Sequence, residues 1–348
     1  MSERFHICTT RRKGRPNRLT YYDSLELPAL RSVWLLSIVP AFVFSCSPSE
    51  KPVPERTETQ IYITKAEKTT VGGMDLFFFY AEEPQKLDAY QHFNAFESPA
   101  VLLHAGSTTG ERRIALIANR AETDYPWTEI LSFRNLSAQC VRFGDERPSA
   151  PIMTGTTVVR AGSESQCEVS LTPLLVSIRI HSLCCDFHGR PYEGAALKKV
   201  RIYLTYAKAS TPLFGGKGDG EWINAGRLSE NDMGRLKFPE MICRSLEDPV
   251  GEAVINPGMT LYCYPNGGEE EDLANRWTRL VIEGELEGET CYYAVSLGQL
   301  ESGTEHIFDF VITRRGTPDP DTLADSGMIQ FRSSLVPWRE TDYQTETY

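Results

Sequence analysis

With 348 residues, 41% hydrophobic and 24% charged, the chain has the composition of an ordinary globular protein, which excludes a disordered or multi-span chain. A net charge of −11 argues against a nucleic-acid partner, because phosphate binding needs clustered Lys and Arg. The densest basic cluster, Arg11, Arg12, Lys13, Arg15 and Arg18, lies in a segment expected to be removed on export.

The first predicted element is the apolar run "VWLLSIVPAFVFS" at residues 33–45. A bilayer-spanning helix needs about 20 apolar residues, so this run is too short to span. Behind Arg31 and the basic cluster it reads as the apolar region of a secretory signal, and residues 1–45 are assigned to that signal segment. The lead at residues 1–30 is long for a signal and fits a start codon placed upstream of the true one. The run ends at Cys46, where Val43, Phe44, Ser45 and Cys46 resemble the lipobox of bacterial lipoproteins. In such a box the cysteine takes lipid and becomes the new N-terminus; Phe44 departs from the small or β-branched residue usual there. The competing reading is a buried helix with an ordinary cysteine.

Residues 46–59 carry "PSEKPVPERTET", with prolines, charges and no apolar period, and read as a tether. With Cys8 removed and Cys46 lipidated, an odd number of cysteines remains: Cys140, Cys167, Cys184, Cys185, Cys243, Cys263 and Cys291. At least one thiol is then unpaired within the monomer, and the spacing forms no disulfide framework.

From residue 60 the chain reads as strands. "IYIT" is short, and "GMDLFFFYA" at 73–81 is apolar on both faces, as a central strand would be. "PAVLLHAG", "RRIALIAN" and "TEILSFRNL" at 128–136 continue the strand pattern. In "SLTPLLVSIRIHSL", Val176, Ile178 and Ile180 alternate with Ser177, Arg179 and His181, which predicts one core face and one wet face. "LKKVRIYLTYAK" sets Val200, Ile202, Leu204 and Tyr206 against Lys199, Arg201 and Thr205 in the same way. A polar stretch near residues 229–235 suggests a helix. Strands then resume at "MTLYCYP", "TRLVIEGEL", "CYYAVSL", "HIFDFVIT" and "MIQFRSSLVPW", punctuated by "PNGG", Gly284, Gly288 and "GTPDPD". Many short strands with regular turns and few amphipathic helices predict an all-β protein of two sandwiches, residues 60–168 and 169–348.

The constellations that could carry chemistry are weak. "HSLCCDFH" supplies His181, Cys184, Cys185 and His188, all competent zinc ligands. A strand end with two half-buried thiols explains the same residues, because His181 falls on the wet face and adjacent cysteines point apart. Asp319, Asp321 and Asp325 offer oxygens to calcium but lack the glycine and closing glutamate of an EF-hand loop. The acidic run at 269–272 reads as a solvated loop. No nucleophile elbow, zinc-protease helix or P-loop is present, so neither an enzyme nor a cofactor or metal is expected.

Taken in order, several segments resemble the fimbrillin superfamily of Bacteroides-type bacteria: "VGGMDLFFFYAEEPQKLDAYQHF" at 71–93, "ALIAN" at 115–119, "APIMTG" at 150–155, "VSLTPLLVSIRI" at 169–180, "LYCYPN" at 261–266 and "GMIQFRSSLVPW" at 327–338. Each is a generic strand and turn; their joint order behind a lipobox carries the resemblance. It implies two tandem transthyretin-like β-sandwiches, a lipid anchor at Cys46 in the outer membrane, and a location in a cell-surface fimbrium. It also implies other fimbrial subunits as partners, joined by β-strand addition, and a receptor on a host or bacterial surface. Shaft subunits of this family lose an N-terminal strand to a protease and take a neighbour's strand into the groove.

Candidate cutting points here are Arg56, Lys65 and Lys68. A cut at Arg56 removes the tether but no strand, which favours an anchor or tip subunit over a trimmed shaft subunit. Ile329, Phe331 and Leu335 alternate with Gln330, Arg332 and Ser334 on the final strand, which suits an in-domain edge strand ahead of a donor strand. The polar tail after Trp338, with Tyr343 and Tyr348, offers a partner contact. The alternative function is a surface glycan-binding β-sandwich lipoprotein, with Trp127, Trp222 and Trp277 as candidate sugar platforms.

Overall fold

A computed structural model describes residues 55–65, 69–120, 129–163, 165–215, 220–266 and 276–338. The signal segment, Cys46, Lys68, Trp127, the acidic run at 269–272 and the polar tail lie outside the described residues. The first half supplies β1 (Arg56–Thr64), β2 (Val71–Tyr80), β3 (Leu87–Phe96), β4 (Ala100–Thr108), β5 (Gly110–Ala118), β6 (Cys140–Arg142), β7 (Met153–Ala161), β8 (Ser165–Ser170) and β9 (Thr172–Pro173). They form a three-stranded sheet in the order β4-β1-β8 and a five-stranded sheet in the order β3-β2-β5-β7-β9.

The two sheets enclose a core of Ile61 and Ile63 from β1 against Met74, Leu76 and Phe78 from β2 and Ile114 and Leu116 from β5. Side chains alternate across a strand, so Phe77, Phe79, Ala115 and Ile117 face the other way. They are buried too, under Ile130, Leu136, Val141 and Phe143 of the connection that follows β5. The segment "GMDLFFFYA" is therefore apolar on both faces because its sheet is the middle layer of three. Each of these phenylalanines contributes about 1.5 to 3 kcal/mol through burial.

The second half supplies β10 (Val176–Cys185), β11 (Lys198–Thr205), β12 (Ala207–Lys208), β13 (Ser210–Pro212), β14 (Trp222–Ile223), β15 (Cys243–Ser245), β16 (Met259–Cys263), β17 (Arg279–Leu286), β18 (Glu289–Ser296), β19 (Thr304–Ile312) and β20 (Ile329–Pro337). Two four-stranded sheets, β16-β10-β19-β20 and β15-β11-β17-β18, enclose Ile178, Ile180, Ile202, Leu204, Leu280 and Ile282. The outer apolar face of the five-stranded sheet belongs to the same continuous cluster. The halves are also joined by pairing of β6 with β13, from Ser210 opposite Arg142 to Pro212 opposite Cys140.

Three local expectations change. "TEILSFRNL" is not a strand: Ser132 caps a helix, α1 (Phe133–Ser137), its hydroxyl accepting from Asn135 N at 3.2 Å. The side-chain cap competes with the extended backbone that the apolar residues alone suggest. The first strand begins at Arg56, inside the stretch read as tether, because Thr57 and Thr59 extend the alternation of Ile61 and Ile63. The wet face of β11 is partly dry: Tyr203 and Thr205 are buried, and Tyr203 packs with Val281 and Ala294 beneath Leu228. The polar stretch after residue 228 does hold a short helix, α2 (Glu230–Met233), capped by Ser229. Among the described residues no helix is long and apolar enough to cross a membrane.

Candidate assembly edges

The first strand sits between two partners. β1 pairs antiparallel with β4 along its whole length, from Arg56 opposite Thr108 to Thr64 opposite Ala100. On its other side it runs parallel to β8, from Thr59 opposite Ser165 to Thr64 opposite Ser170. Side chains reinforce this second seam. The hydroxyls of Thr59 and Ser165 lie 2.8 Å apart, those of Thr64 and Ser170 2.9 Å apart, and Gln166 Nε2 donates to Gln60 Oε1 at 3.1 Å. Loss of β1 would open a groove lined by the backbone edges of β4 and β8 and by the core under Ile61 and Ile63. Buried backbone groups need partners, so such a groove would demand another strand.

Arg56 is the exposed first residue of β1. A cut after it leaves residues 57–64 paired with β4 and residues 59–64 paired with β8 as well. Lys65 is only 8% exposed; its backbone N donates to Pro99 O at 3.0 Å and its Nζ to Thr69 O at 2.5 Å. Lys65 is therefore held in the fold by its own contacts, whereas Arg56 is exposed.

β20 is at the opposite extreme. Among the described residues it pairs only with β19, from Thr304 opposite Pro337 to Ile312 opposite Ile329, and is the terminal strand of its sheet. Of the three alternating apolar residues, Ile329 is buried. Phe331 is 45% exposed and Leu335 60% exposed. The facing sheet ends at β18, and between β18 and β20 lies a groove of about 400 Å3 lined by Val295, Ser296, Leu323, Ala324, Ile329 and Phe331. Phe331 rests against Phe308 and Phe310, with ring centroids 6.1 and 5.9 Å away.

The lip of this groove is fixed by Asp321. Its carboxylate accepts from Tyr206 Oη at 2.8 Å, Arg279 Nη1 at 2.8 Å and Arg276 Nη1 at 3.1 Å. Burial, and then the neighbouring Asp321, push the Tyr206 phenol above its ordinary value. The anchored segment lies on the edge of β18, where Ala324 N donates to Ala294 O at 2.9 Å.

The weaker constellations are accounted for by their own contacts. His181 Nδ1 lies 2.7 Å from Asp309 Oδ1 and His188 Nδ1 lies 3.1 Å from Glu193 Oε1, while Cys184 and Cys185 are buried. Asp325 caps a turn by accepting from Gly327 N and Met328 N, and Asp319 accepts from Asp321 N. Trp222 is half-buried edge-on to Tyr206 with centroids 6.2 Å apart, and Trp277 is half-buried as well, so neither is an open platform. The exposure of β20 was not readable from its period, because alternation reports a pattern and not whether a facing sheet covers it. The one available signal was its content of Gln330, Arg332, Ser333 and Ser334.

No family model and no curated protein matches the chain. Solved structures do. A proposed cell adhesion protein from Bacteroides eggerthii is similar with a TM-score of 0.62 at 16% identity, over 82% of this chain and 97% of that one. Another proposed cell adhesion protein, from Parabacteroides distasonis, gives 0.61 at 12% identity over 81% and 97%. A fimbrilin from Porphyromonas gingivalis gives 0.58 at 14% identity over 81% and 98%. At these identities the likeness is one of fold, and at that level the resemblance drawn from the sequence holds: the chain has the all-β fold of fimbrillin-type proteins.

Proposed function

We propose that the protein is a structural, non-enzymatic subunit of a cell-surface fimbrium, held at the outer membrane through lipid on Cys46 and placed at an end of the fibre as its anchor or tip. The shared fold with a fimbrilin and with proposed cell adhesion proteins supports the fimbrial reading. Two sandwiches, the first ending with β9 and the second beginning with β10, joined by a continuous core, are the architecture on which it rests.

The observation that carries the terminal position is the placement of Arg56. Trimming there keeps residues 57–64 paired with β4 and residues 59–64 held between β4 and β8, so no strand-accepting groove forms. At the more damaging site, the bond after Lys65, the lysine that a trypsin-like protease must seize is itself buried. Such a subunit joins others through the second sandwich, where the outer edge of β20 carries no strand among the described residues. An added strand there gains backbone hydrogen bonds and side-chain pockets at alternate residues. Immunogold labelling of intact fimbriae tests this reading: labels at fibre ends support it, and labels repeated along the shaft overturn it.

A further inference from the structure

Three cationic side chains, with His92 beside them, converge on a second concavity, remote in character from the strand edges. A cavity of about 280 Å3 is lined by Gly72, Gly73, His92, Arg120, Arg147 and Lys237. They come from the start of β2, from β3, from the end of β5, from the turn near residue 147 and from the second half of the chain. In a protein of net charge −11 this grouping runs against the general balance.

The frame is built by Asn119, which also lines the cavity. Its Nδ2 donates to Thr70 O at 2.7 Å and to Pro151 O at 2.9 Å, and its Oδ1 accepts from Gly72 N at 2.8 Å. Three chain segments are thereby pinned around one floor. That floor is bare: a Cβ on Gly72 would meet its nearest heavy atom, Asn119 Oδ1, only at 3.8 Å. Behind the basic rim, Asp75 is 1% exposed and orients it, accepting from Tyr90 Oη at 2.7 Å, with His92 Nδ1 at 2.9 Å and Arg120 Nε at 3.4 Å. Asp145 stands in the wall, 3.8 Å from Lys237 Nζ.

The chemistry of this lining selects among ligands. Arg and Lys offer charge-assisted donors to an acid group. The Asp145 carboxylate offers an acceptor to hydroxyls and repels a polyanion. The volume exceeds what a bare inorganic anion fills, given about 30 Å3 for a water in the liquid, and is near the lower bound of small-molecule sites. We propose that this cavity binds one uronic acid unit of an acidic saccharide, its carboxylate between Arg147 and Lys237 and a ring hydroxyl donating to Asp145. This is independent of where the subunit sits in a fibre.

Isothermal titration of the full-length protein with a galacturonate oligomer tests it, with a neutral galactose oligomer and inorganic sulfate as comparison probes. Saturable binding to the uronate, at least tenfold tighter than to either comparison probe, is expected. Lys237→Glu should weaken it at least tenfold; Lys237 is half exposed, so this variant keeps its fold. Arg147→Ala should act in the same direction, and Gly72→Val should block binding by filling the floor. Absence of saturation at millimolar uronate, or binding indifferent to Lys237→Glu and Gly72→Val, would overturn the assignment. Sulfate binding as tight as uronate binding would reduce the cavity to an anion site and overturn the saccharide.

Discussion

Replacing Glu146 by Gln isolates the energetics of the joint between the two halves. Glu146 is 1% exposed; Ile152 N donates to its Oε2 at 3.0 Å, and Tyr264 Oη lies 3.1 Å from its Oε1. Burial pushes the carboxyl up to about 8, with Asp145 adding to the effect, and the two hydrogen bonds only partly oppose it. The folded protein therefore holds a proton that the unfolded chain releases near pH 4.5. The stability due to that proton is complete below about pH 4.5 and is lost as pH climbs through about 8. At 1.36 kcal/mol per pKa unit, the wild type should lose roughly 3 kcal/mol between pH 5 and pH 8 from this group. Gln reproduces the protonated acid, with Oε1 accepting from Ile152 N–H and Nε2 donating to Tyr264, whose hydroxyl turns from donor to acceptor. Glu146→Gln should match the wild type within about 1 kcal/mol at pH 5 and exceed it by roughly 3 kcal/mol at pH 8. Urea denaturation followed by tryptophan fluorescence at both pH values measures this. Equal pH dependence in the two proteins would refute the reasoning.

Other outcomes follow from single contacts. Asp88 is buried with Arg112, whose Nε lies 3.0 Å from its Oδ2. Burial works against ionisation, but bonds from Thr108 and Arg112 outweigh it and hold the carboxyl below its ordinary value. Asp88→Asn should cost about 3 kcal/mol in chemical denaturation by stranding a buried guanidinium. That contribution is present in the wild type above about pH 4 and fades as acid titrates Asp88. Limited trypsin treatment of the native protein should cut after Arg56 and spare Lys65, and a fragment beginning at Ala66 would count against protection of Lys65 by its burial. Leu335→Asp, on an exposed position of β20, should leave stability within about 0.5 kcal/mol while abolishing co-purification of other fimbrial subunits.

Much of the fold is legible in local pattern. β10, β11, β16, β17, β18 and β19 announce themselves by apolar residues at alternate positions or by short apolar runs bounded by turns. β3 does not, because it is the edge of its sheet and its residues from Leu87 to Phe96 are half-buried or exposed, so no buried face imposes a period. α1 was misread because two apolar residues, Ile130 and Leu136, reach the core from a capped turn as readily as from a strand. The joint made by β6, β13 and Glu146 is invisible locally, since the partners Thr211 and Val141 are brought together only by the tertiary fold.

The candidate edges divide in the same way. Arg56 and Lys65 could be named from the sequence, but their difference lies in burial, which pattern does not report. The cationic cavity had no sequence signal: Arg120, Arg147 and Lys237 are scattered singly among acidic neighbours, and Asn119 looks like one more turn residue after "ALIA".

The central claim is that this subunit reaches the cell surface with its lipid and its first strand in place. Mass spectrometry of the intact protein and of its N-terminal peptide, taken from the native outer membrane, tests it most directly. The account predicts a diacyl or triacyl adduct on Cys46 with β1 retained. A mature chain that begins beyond Lys65 or Lys68 would contradict it, because β1 would be gone and the groove between β4 and β8 would be open to a neighbour's strand.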